Sequence, residues 1–300
     1  METLLEENIS NFRVVAWDTE TTGVSSYSDY IIEVGAIAFD EDFELRRFET
    51  LAKPPVLIPA GATKIHGISD EMVAHAPRIF EGLAQFSEFL SFVGQPRFLV
   101  AHNAGFDVGM VHGQVRHFDE KLEWSSGTEI VIDTCMMAKV LLPELPQHRV
   151  EDLVTHFKLP RVRFHRAMAD VEALKGIFLG LIGVAADRYA SFEKGFTLSR
   201  LIDLAGGYFL LDPKRSELRK HAFFLPPRIA VLEKLCGQSA KVAIVYDSEE
   251  DYRYITPIDV RVKAFRVYVE AFCHRDNIKK TFRADRILRI GKVEDACVLE

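Results

Sequence analysis

The chain has 300 residues, of which 48% are hydrophobic and 27% are charged, and its formal net charge is −7. This composition excludes a disordered or fibrous protein, and the length favours two globular domains. Four scattered cysteines without metal-site spacing predict reduced thiols. An acidic N-terminal segment, and a longest apolar run (residues 176–186) too short for a bilayer, predict a cytoplasmic protein without membrane contact.

Charge is distributed unevenly along the chain. Residues 1–186 contain 16 Lys and Arg against 27 Asp and Glu, a net of −11, whereas the remainder has a net of +4. Such an asymmetry indicates separate roles for the two parts of the chain. The acidic part does not exclude nucleic acid as a partner, because bound divalent cations invert the local field.

The first predicted elements are three strands, at residues 12–17, 30–39 and 44–52. Their connections are short, which predicts an antiparallel meander. Residues 59–67 are predicted as a loop, and Ser69 is the candidate cap of a short helix that follows it.

The next elements alternate between helices and buried strands. Apolar residues recur at helical spacing over 79–93 and again over 167–181, while 97–101 and 129–133 read as short strands. A meander followed by this alternation predicts an α/β fold with a mixed central sheet and helices on its faces. We assign residues 1–186 to this first domain.

The remaining chain has a different pattern. Residues 187–237 give mixed signals and are predicted as a linker with some helix, and residues 238–300 as a small, mostly-β domain. Its five predicted strands are short and separated by polar turns, at residues 241–246, 252–256, 265–272, 280–282 and 287–290.

Two acids, Asp18 and Glu20, follow the apolar run of the first strand. Alternation along a strand places residues i and i+2 on the same side, so the two carboxylates are expected close together. Carboxylates that close repel each other unless one is protonated or a cation lies between them. Hard oxygen ligands suit Mg²⁺ or Mn²⁺. Taken alone, the pair also fits a solvated acidic turn.

Two further acids occupy helix starts. Asp107 begins the helix after the buried strand 97–101, and Asp170 lies in the first turn of the last helix, five residues after His165. Taken singly, both are acids that the helix dipole favours. Together with the acids of the first strand they can converge on one edge of an α/β sheet, where such sheets bind ligands.

Three segments carry a resemblance to a known family: Asp18-Thr-Glu-Thr-Thr-Gly23, His102-Asn-Ala-Gly-Phe-Asp107 and His165-Arg-Ala-Met-Ala-Asp170. In order and separation they resemble the three exonuclease motifs of the DnaQ-like DEDDh superfamily, which includes the proofreading subunit of bacterial DNA polymerase III and RNase T. The resemblance covers residues 10–185. It implies a ribonuclease H-like fold and hydrolysis of phosphodiester bonds at 3′ ends with two metal ions, Mg²⁺ or Mn²⁺.

The resemblance also implies a role for each motif residue. Asp18, Glu20 and Asp170 would hold the ion that generates the nucleophile, and Asp18 would bridge to the second ion. Asp107 would complete the cluster, partly through water. His165 would be the general base, a task that suits a side chain whose ordinary pKa lies near neutrality. A histidine at this position, rather than tyrosine, indicates the DEDDh group.

Other residues of these segments are candidates for substrate contact. The sequence Ile-His-Gly-Ile around His66 resembles a family segment that lies against the terminal nucleotide, although a loop histidine without a ligand is the alternative. Thr21 and Gly23 are expected near the terminal sugar. Asn103 and Phe106 are further candidates, and Asn103 fits a structural role in its turn equally well.

The end of the chain resembles a WYL domain over residues 238–292, with Val267-Tyr268-Val269 in place of the Trp-Tyr-Leu triplet. The resemblance implies a small Sm- or SH3-like barrel and binding of nucleic acid or a nucleotide-like ligand. Arginines that alternate with apolar residues also fit a solvated strand face. The residues that could pair with phosphates or stack on bases are Tyr268, Lys280, Arg283 and Arg286.

The first hypothesis is therefore a metal-dependent 3′→5′ exonuclease acting on single-stranded nucleic acid, with DNA favoured over RNA. One alternative is a nucleic-acid-binding regulator with a vestigial nuclease domain, against which the intact set of acids and His165 argues. The other is a proofreading subunit whose C-terminal half tethers a DNA polymerase or another repair protein.

Overall fold

A computed structural model describes residues 2–41, 43–117, 122–160, 166–188, 196–215, 217–218, 222–246, 251–263 and 266–292. The chain divides into two compact units, Met1–Leu198 with Tyr208–Phe224 and Ser199–Gly207 with Leu225–Glu300. Within the described part of the chain, every helix is too short or too polar to cross a membrane.

The first unit is built on a seven-stranded mixed sheet. In chain order its strands are β1 (Arg13–Thr21), β2 (Ile31–Asp40), β3 (Phe43–Leu51), β4 (Arg97–Ala101), β5 (Glu129–Asp133), β6 (Tyr208–Leu211) and β7 (Phe223–Phe224). They lie in the order β3-β2-β1-β4-β5-β6-β7. The strands β1, β4 and β5 run parallel, and the other pairings are antiparallel. The sheet confirms the predicted meander and the mixed α/β architecture.

Helices cover both faces of this sheet. They are α1 (Glu2–Leu5), α2 (Ala60–His66), α3 (Asp70–Val73), α4 (Ile79–Val93), α5 (Ala104–His117), α6 (Thr134–Leu141), α7 (Val150–His156) and α8 (Ala167–Arg188). Trp17 of β1 stacks on Phe86 of α4, with ring centroids 5.4 Å apart. Phe39 of β2 meets Phe178 of α8 at 6.2 Å. Alternation along β1 therefore directs Trp17 toward α4 and the neighbouring Asp18 toward the α8 side.

The first strand is longer than predicted. It was expected to end at residue 17, but β1 continues to Thr21 and stays paired with β2, with Asp18 opposite Gly35 and Glu20 opposite Glu33. The register shifts only after Glu20. The prediction ended the strand where its apolar residues end. Backbone hydrogen bonds between strands do not depend on side-chain polarity, so the strand continues through the polar residues that follow. Both acids are consequently held on a strand.

A helix replaces the loop predicted at residues 59–67. The helix α2 covers Ala60–His66 and ends at Gly67, whose φ of 75° lies in the left-handed region and whose N–H bonds to the Thr63 carbonyl. Glycine favours that position, which explains where the helix stops. The loop prediction was wrong because Ala60, Gly61 and Ala62 give no apolar stripe. As expected, a short helix, α3, follows Ser69.

The second unit contains a five-stranded antiparallel sheet. Its strands are β8 (Val242–Tyr246), β9 (Arg253–Lys263), β10 (Arg266–Cys273), β11 (Ile278–Arg283) and β12 (Ile287–Lys292), in the order β11-β10-β9-β8-β12. Ile229 and Leu232 of the helix α10 (Pro227–Leu235) pack in its core with Ile244, Ile255 and Val269. The predicted mostly-β domain is confirmed, while its closure into an Sm- or SH3-like barrel stays a prediction.

The segment predicted as a linker, residues 187–237, holds more regular structure than expected. It contains the helices α9 (Leu198–Leu204) and α10, and it also supplies β6 and β7 to the sheet of the first unit. Strands of four and two residues carry too little alternation to be recognised in a sequence. The domain boundaries at residues 186 and 237 stay a prediction.

Candidate active site

Three of the predicted acids form a cluster. Asp18 and Glu20 lie side by side on β1, and Asp170 reaches them from the first turn of α8. One carboxylate oxygen from each residue lies within 4.8 Å of the other two, and each side chain is partly exposed. The structure therefore brings together the acids that the first and third motifs supply.

A close contact between β2 and α8 makes this convergence possible. A Cβ at Gly35, which lies opposite Asp18, would come 2.8 Å from the Ala167 carbonyl carbon and 2.9 Å from the Met168 nitrogen. Backbone atoms cannot yield as a flexible side chain can. Only glycine at this position allows the start of α8 to lie directly on the sheet, one turn before Asp170.

A buried ion pair fixes the same junction. Glu33 is completely buried, and Nη2 and Nε of Arg166 donate to its Oε1 at 2.6 and 3.1 Å. The N–H of Ala167, the first residue of α8, donates to Oε2 at 2.8 Å. Glu33 thus binds both the residue before the helix and the first residue within it.

Asp107 lies beside the cluster. It is buried in the first turn of α5, and its Oδ1 accepts hydrogen bonds from the Thr19 hydroxyl at 2.7 Å and the Thr19 N–H at 3.1 Å. Thr19 separates Asp18 from Glu20 along β1. The contact therefore links the acid of the second motif to those of the first.

Burial and mutual repulsion raise the pKa values of these carboxyl groups. Burial, followed by the charges of Asp107 and Glu20, raises the pKa of Asp18 well above its ordinary value. Burial and then the charge of Asp170 raise the pKa of Glu20 to about 8. Burial raises the pKa of Asp107 to about 7, which the hydrogen bonds from Thr19 partly oppose. Several carboxylate oxygens at such short range are a donor set that fits a divalent cation.

The predicted general base lies outside the described residues. The structure describes the chain again from Arg166, so it gives the positions of Arg166 and Asp170 but not that of His165. The role of His165 stays a prediction.

An open cleft of about 590 Å³ extends from the acids. Asn103 is among the predicted residues that line it. Its described lining comprises Asp18, His102, Asn103, Cys135, Lys139, Gln147, His148, Arg149, Val150, Glu151 and Asp170. Thr21, Gly23, His66 and Phe106 are not part of that described lining.

Thr21 and Gly23 shape the turn after β1. The Thr21 hydroxyl donates to the Gly23 carbonyl at 2.6 Å, and a Cβ at Gly23 would come 2.6 Å from the Asp29 carboxylate. The Asp29 carboxylate also accepts the Ser25 N–H at 2.8 Å. These contacts give both predicted residues a structural task, and their contact with a substrate stays a prediction.

The remaining candidates of this unit lie at helix ends. Asn103 adopts a positive φ of 67°, and its N–H donates to Asp133 at 3.2 Å, which holds the turn before α5. Phe106 packs partly buried against the main core. His66 is buried at the end of α2, where its Nδ1 accepts the Ile68 N–H at 3.0 Å. Their substrate contacts stay predictions.

The basic candidates of the second unit do not share one surface. Tyr268 and Arg283 are direct partners across β10 and β11, so their side chains lie on the same face. Lys280 pairs with Ala271, a core residue, and therefore lies on the opposite face, where its Nζ donates to Asp276 at 2.7 Å. Arg286 is exposed in the turn before β12.

Two residues that shape the site were missed in the sequence. Glu33 interrupts an otherwise apolar strand, and Arg166 directly follows His165. A single acid within a buried run was the available signal, because a buried carboxylate requires a partner. The partner lies 133 residues away, and sequence spacing does not reveal such a pair.

Comparison with known proteins agrees with this geometry. The RNase_T family model, described as an exonuclease, matches residues 15–178, and the WYL domain model matches residues 227–291. DNA polymerase III subunit epsilon of Treponema pallidum is 36% identical over 169 residues, which are 56% of this chain and 75% of that protein. A PolC-type DNA polymerase III from Caldanaerobacter subterraneus is 33% identical over 56% of this chain, but the match spans only 11% of that polymerase.

Exonuclease I from Methylocaldum szegediense resembles the chain in fold, with a TM-score of 0.52 at 16% identity over 94% of this chain and 65% of that one. The family model covers more than half of the chain, and the epsilon subunit is matched over three quarters of its length. The chain therefore belongs to the RNase_T exonuclease family, with a DnaQ-like nuclease domain of ribonuclease H-like fold followed by a WYL domain.

Proposed function

We propose that the protein is a metal-dependent 3′→5′ exonuclease that acts on single-stranded nucleic acid, with DNA preferred to RNA. The observation that carries the proposal is the cluster of Asp18, Glu20 and Asp170, whose oxygens lie within 4.8 Å of one another. A cluster of this kind on a sheet edge, beside an open cleft, suits a polyanionic substrate only when cations are bound.

Each acid has a distinct task in this proposal. Asp18, Glu20 and Asp170 would hold one divalent ion, and Asp18 with Asp107 would hold a second, either Mg²⁺ or Mn²⁺. Two such ions supply charge stabilisation to the attacking and leaving oxygens of an in-line displacement. His165 takes the proton of the attacking water, and Thr19 keeps the Asp107 carboxylate in place through its two hydrogen bonds.

The terminal nucleotide would lie next to these acids. We assign Asn103 to its contact because the side chain is exposed and lines the cleft. Thr21, Gly23, His66 and Phe106 would shape the adjoining surface, by holding the turn after β1 and the ends of α2 and α5. The backbone contacts of these residues give the surface a fixed form before substrate binds.

The second unit would contribute its own capture site for the strand. Tyr268 offers a ring for base stacking, and Arg283 beside it and Arg286 in the following turn offer charges for phosphates. Lys280 is engaged by Asp276, so we assign it no direct contact.

A second candidate function is proofreading in association with a DNA polymerase. The observation that favours it is the 36% identity to a DNA polymerase III subunit. Co-purification of the full chain with a replicative polymerase tests it, and activity without any such complex favours an independent nuclease.

The main proposal is tested by degradation of single-stranded DNA and RNA oligomers labelled at either end. The wild-type chain is compared with Asp18→Asn and with Asp40→Asn, which alters an exposed acid at the far end of β2. We expect stepwise shortening from the 3′ end with Mg²⁺ or Mn²⁺, none with EDTA, loss in Asp18→Asn and full activity in Asp40→Asn. Cleavage in EDTA, or full activity of Asp18→Asn, would overturn the proposal.

A further inference from the structure

The ion pair between Glu33 and Arg166 lies next to the acid cluster without belonging to it. We propose that Glu33 is a positioning residue: by holding Arg166 and the first N–H of α8, it sets the distance of Asp170 from Asp18 and Glu20, and so the affinity of the site for divalent cations. This inference rests on the proposed function.

The contacts of Glu33 reach both halves of the site. On the strand side it stands opposite Glu20 in the β1–β2 register, two residues from Gly35, which faces Asp18. On the helix side it accepts three bonds from Arg166 and one from the Ala167 N–H, three residues before Asp170. A movement at this junction would therefore change the gap between the carboxylates of the strand and that of the helix.

Stability alone gives a weak reason for such a pair. A buried carboxylate loses its hydration, and an ion pair is often no more stabilising than apolar residues of similar volume. Here the buried charge also lies near other acids, and it adds to the repulsion that raises the pKa of Glu20. Glu33 binds two successive residues at the start of a helix, and such contacts fix the position of that helix. Residues that hydrogen-bond to metal ligands fix the orientation of those ligands in the same way.

Glu49 provides a matched control. Its Oε1 lies 3.6 Å from the same Arg166 Nη2, but the side chain is 45% exposed and belongs to β3, one strand further from the acids. Glu49→Gln therefore removes the same charge from the same arginine without removing the bonds at the start of α8.

The direction in which two substitutions change the affinity for divalent cations distinguishes a positioning role from a purely electrostatic one. Removal of the Glu33 charge by Glu33→Gln would weaken cation binding under either explanation. Removal of the Arg166 charge by Arg166→Gln would strengthen cation binding if only charge mattered, because a nearby positive charge is lost. If the pair positions Asp170, both substitutions weaken binding, and the double variant is no worse than either single one.

The experiment measures Mn²⁺ binding by electron paramagnetic resonance of free Mn²⁺, on full-length wild type, Glu33→Gln, Arg166→Gln, the double variant and Glu49→Gln. We expect affinity about 10-fold to 100-fold lower in the first three variants and unchanged in Glu49→Gln. At saturating metal, kcat on single-stranded DNA should partly recover, with KM unchanged. Circular dichroism reports whether each variant is folded.

The outcomes are distinguishable. Wild type that binds no Mn²⁺ contradicts the proposed function itself. Wild type that binds Mn²⁺, with Glu33→Gln or Arg166→Gln equal to it, overturns only the positioning role, as does tighter binding by Arg166→Gln. If a single variant fails to fold, the double variant decides, because it leaves neither a buried carboxylate nor a cation unpaired. Weaker Mn²⁺ binding than wild type supports positioning, and equal binding overturns it.

Discussion

The two units differ in how carboxylates are arranged at the sites that interest us. In the nuclease domain, Asp18, Glu20 and Asp170 converge with their oxygens within 4.8 Å. In the WYL domain, by contrast, carboxylates form ion pairs with lysine and arginine side chains. Asp276 accepts bonds from Arg253 and Lys280, both at 2.7 Å. The bond from Lys280, followed by that from the Cys273 thiol, lowers the pKa of Asp276 to about 2.

This contrast distinguishes charges that are neutralised by partners within the fold from charges that a bound ligand would neutralise. Paired ions such as Arg261, which binds Asp259 at 2.6 Å and Glu270 at 3.2 Å, are satisfied within the domain. Unbalanced carboxylates cost free energy in the folded state, and a bound cation removes that cost. A cluster that is unfavourable by itself, beside an open cleft, is therefore the better indicator of function.

The largest expected effect is on activity, when one acid of the cluster is removed. Asp18→Ala should lower kcat by ~10³-fold or more, because it removes the carboxylate shared between the ions. The metal-free variant should melt no lower than wild type, since it loses an acid whose ionised form is destabilised at this site. Kinetics on 3′-labelled single-stranded DNA and a melt in EDTA measure both. A strongly destabilised variant would contradict the unbalanced-charge account.

The next effect concerns the contact that brings α8 to the sheet. Gly35→Ala should destabilise the chain by about 1–3 kcal/mol, because the new Cβ would meet the backbone of Ala167 and Met168. Activity should fall with it as Asp170 is displaced.

Gly183→Ala, within α8 and with nothing within 4 Å of the new methyl group, is the matched control. It should stabilise the helix by up to ~1 kcal/mol. Urea unfolding of both variants measures the difference, and equal stabilities would contradict the close-approach argument.

Two substitutions in the WYL domain test which face of its sheet binds nucleic acid. Tyr268→Ala should raise KM for single-stranded DNA by about 5-fold to 150-fold, since stacking contributes ~1–3 kcal/mol per base, and leave kcat unchanged. Lys280→Gln, on the opposite face, should leave KM unaltered. Steady-state kinetics on one oligomer measures both constants. Equal effects of the two substitutions would count against the assignment of one binding face.

The smallest effect is the pH dependence of stability without metal. The pKa of Glu20 is raised to about 8 and that of Asp107 to about 7, so the folded state binds these protons more tightly than the unfolded state. Their stabilising contribution is complete below about pH 4 and is lost as the pH rises through about 7–8. In EDTA the melting temperature should therefore fall by ~3 °C or more between pH 5.5 and 8.5.

Added Mn²⁺ should abolish most of this fall, and Glu20→Gln should reduce it in EDTA. Scanning fluorimetry at several pH values measures the melting temperatures. A melting temperature that rises with pH in EDTA would contradict the assigned shifts.

Much of this organisation was predictable from the sequence, for physical reasons. Strand alternation placed Asp18 and Glu20 on one side, and the apolar runs gave the meander and the long helices. Short elements were missed: α2 has no apolar stripe, and β6 and β7 are too brief to have a period. These short elements depend on contacts with residues distant in the chain, which the local sequence pattern does not show.

At the site, the sequence indicated that Asp18, Glu20 and Asp170 converge but not what holds them together. The partners of the junction, Glu33 and Arg166, lie far apart in the chain and became evident only from their contact. In the WYL domain, Lys280 was grouped with Tyr268 by composition, whereas strand register places the two on opposite faces. Register depends on the whole sheet, so a list of basic residues does not define a binding surface.

Anomalous diffraction at the manganese edge, from crystals of the full chain grown with Mn²⁺, tests the central claim most directly. The account predicts two peaks about 4 Å apart, with Asp18 in contact with both and with Glu20 and Asp170 on one of them. Ordered carboxylates without any peak between them, at a Mn²⁺ concentration that supports hydrolysis, would contradict it.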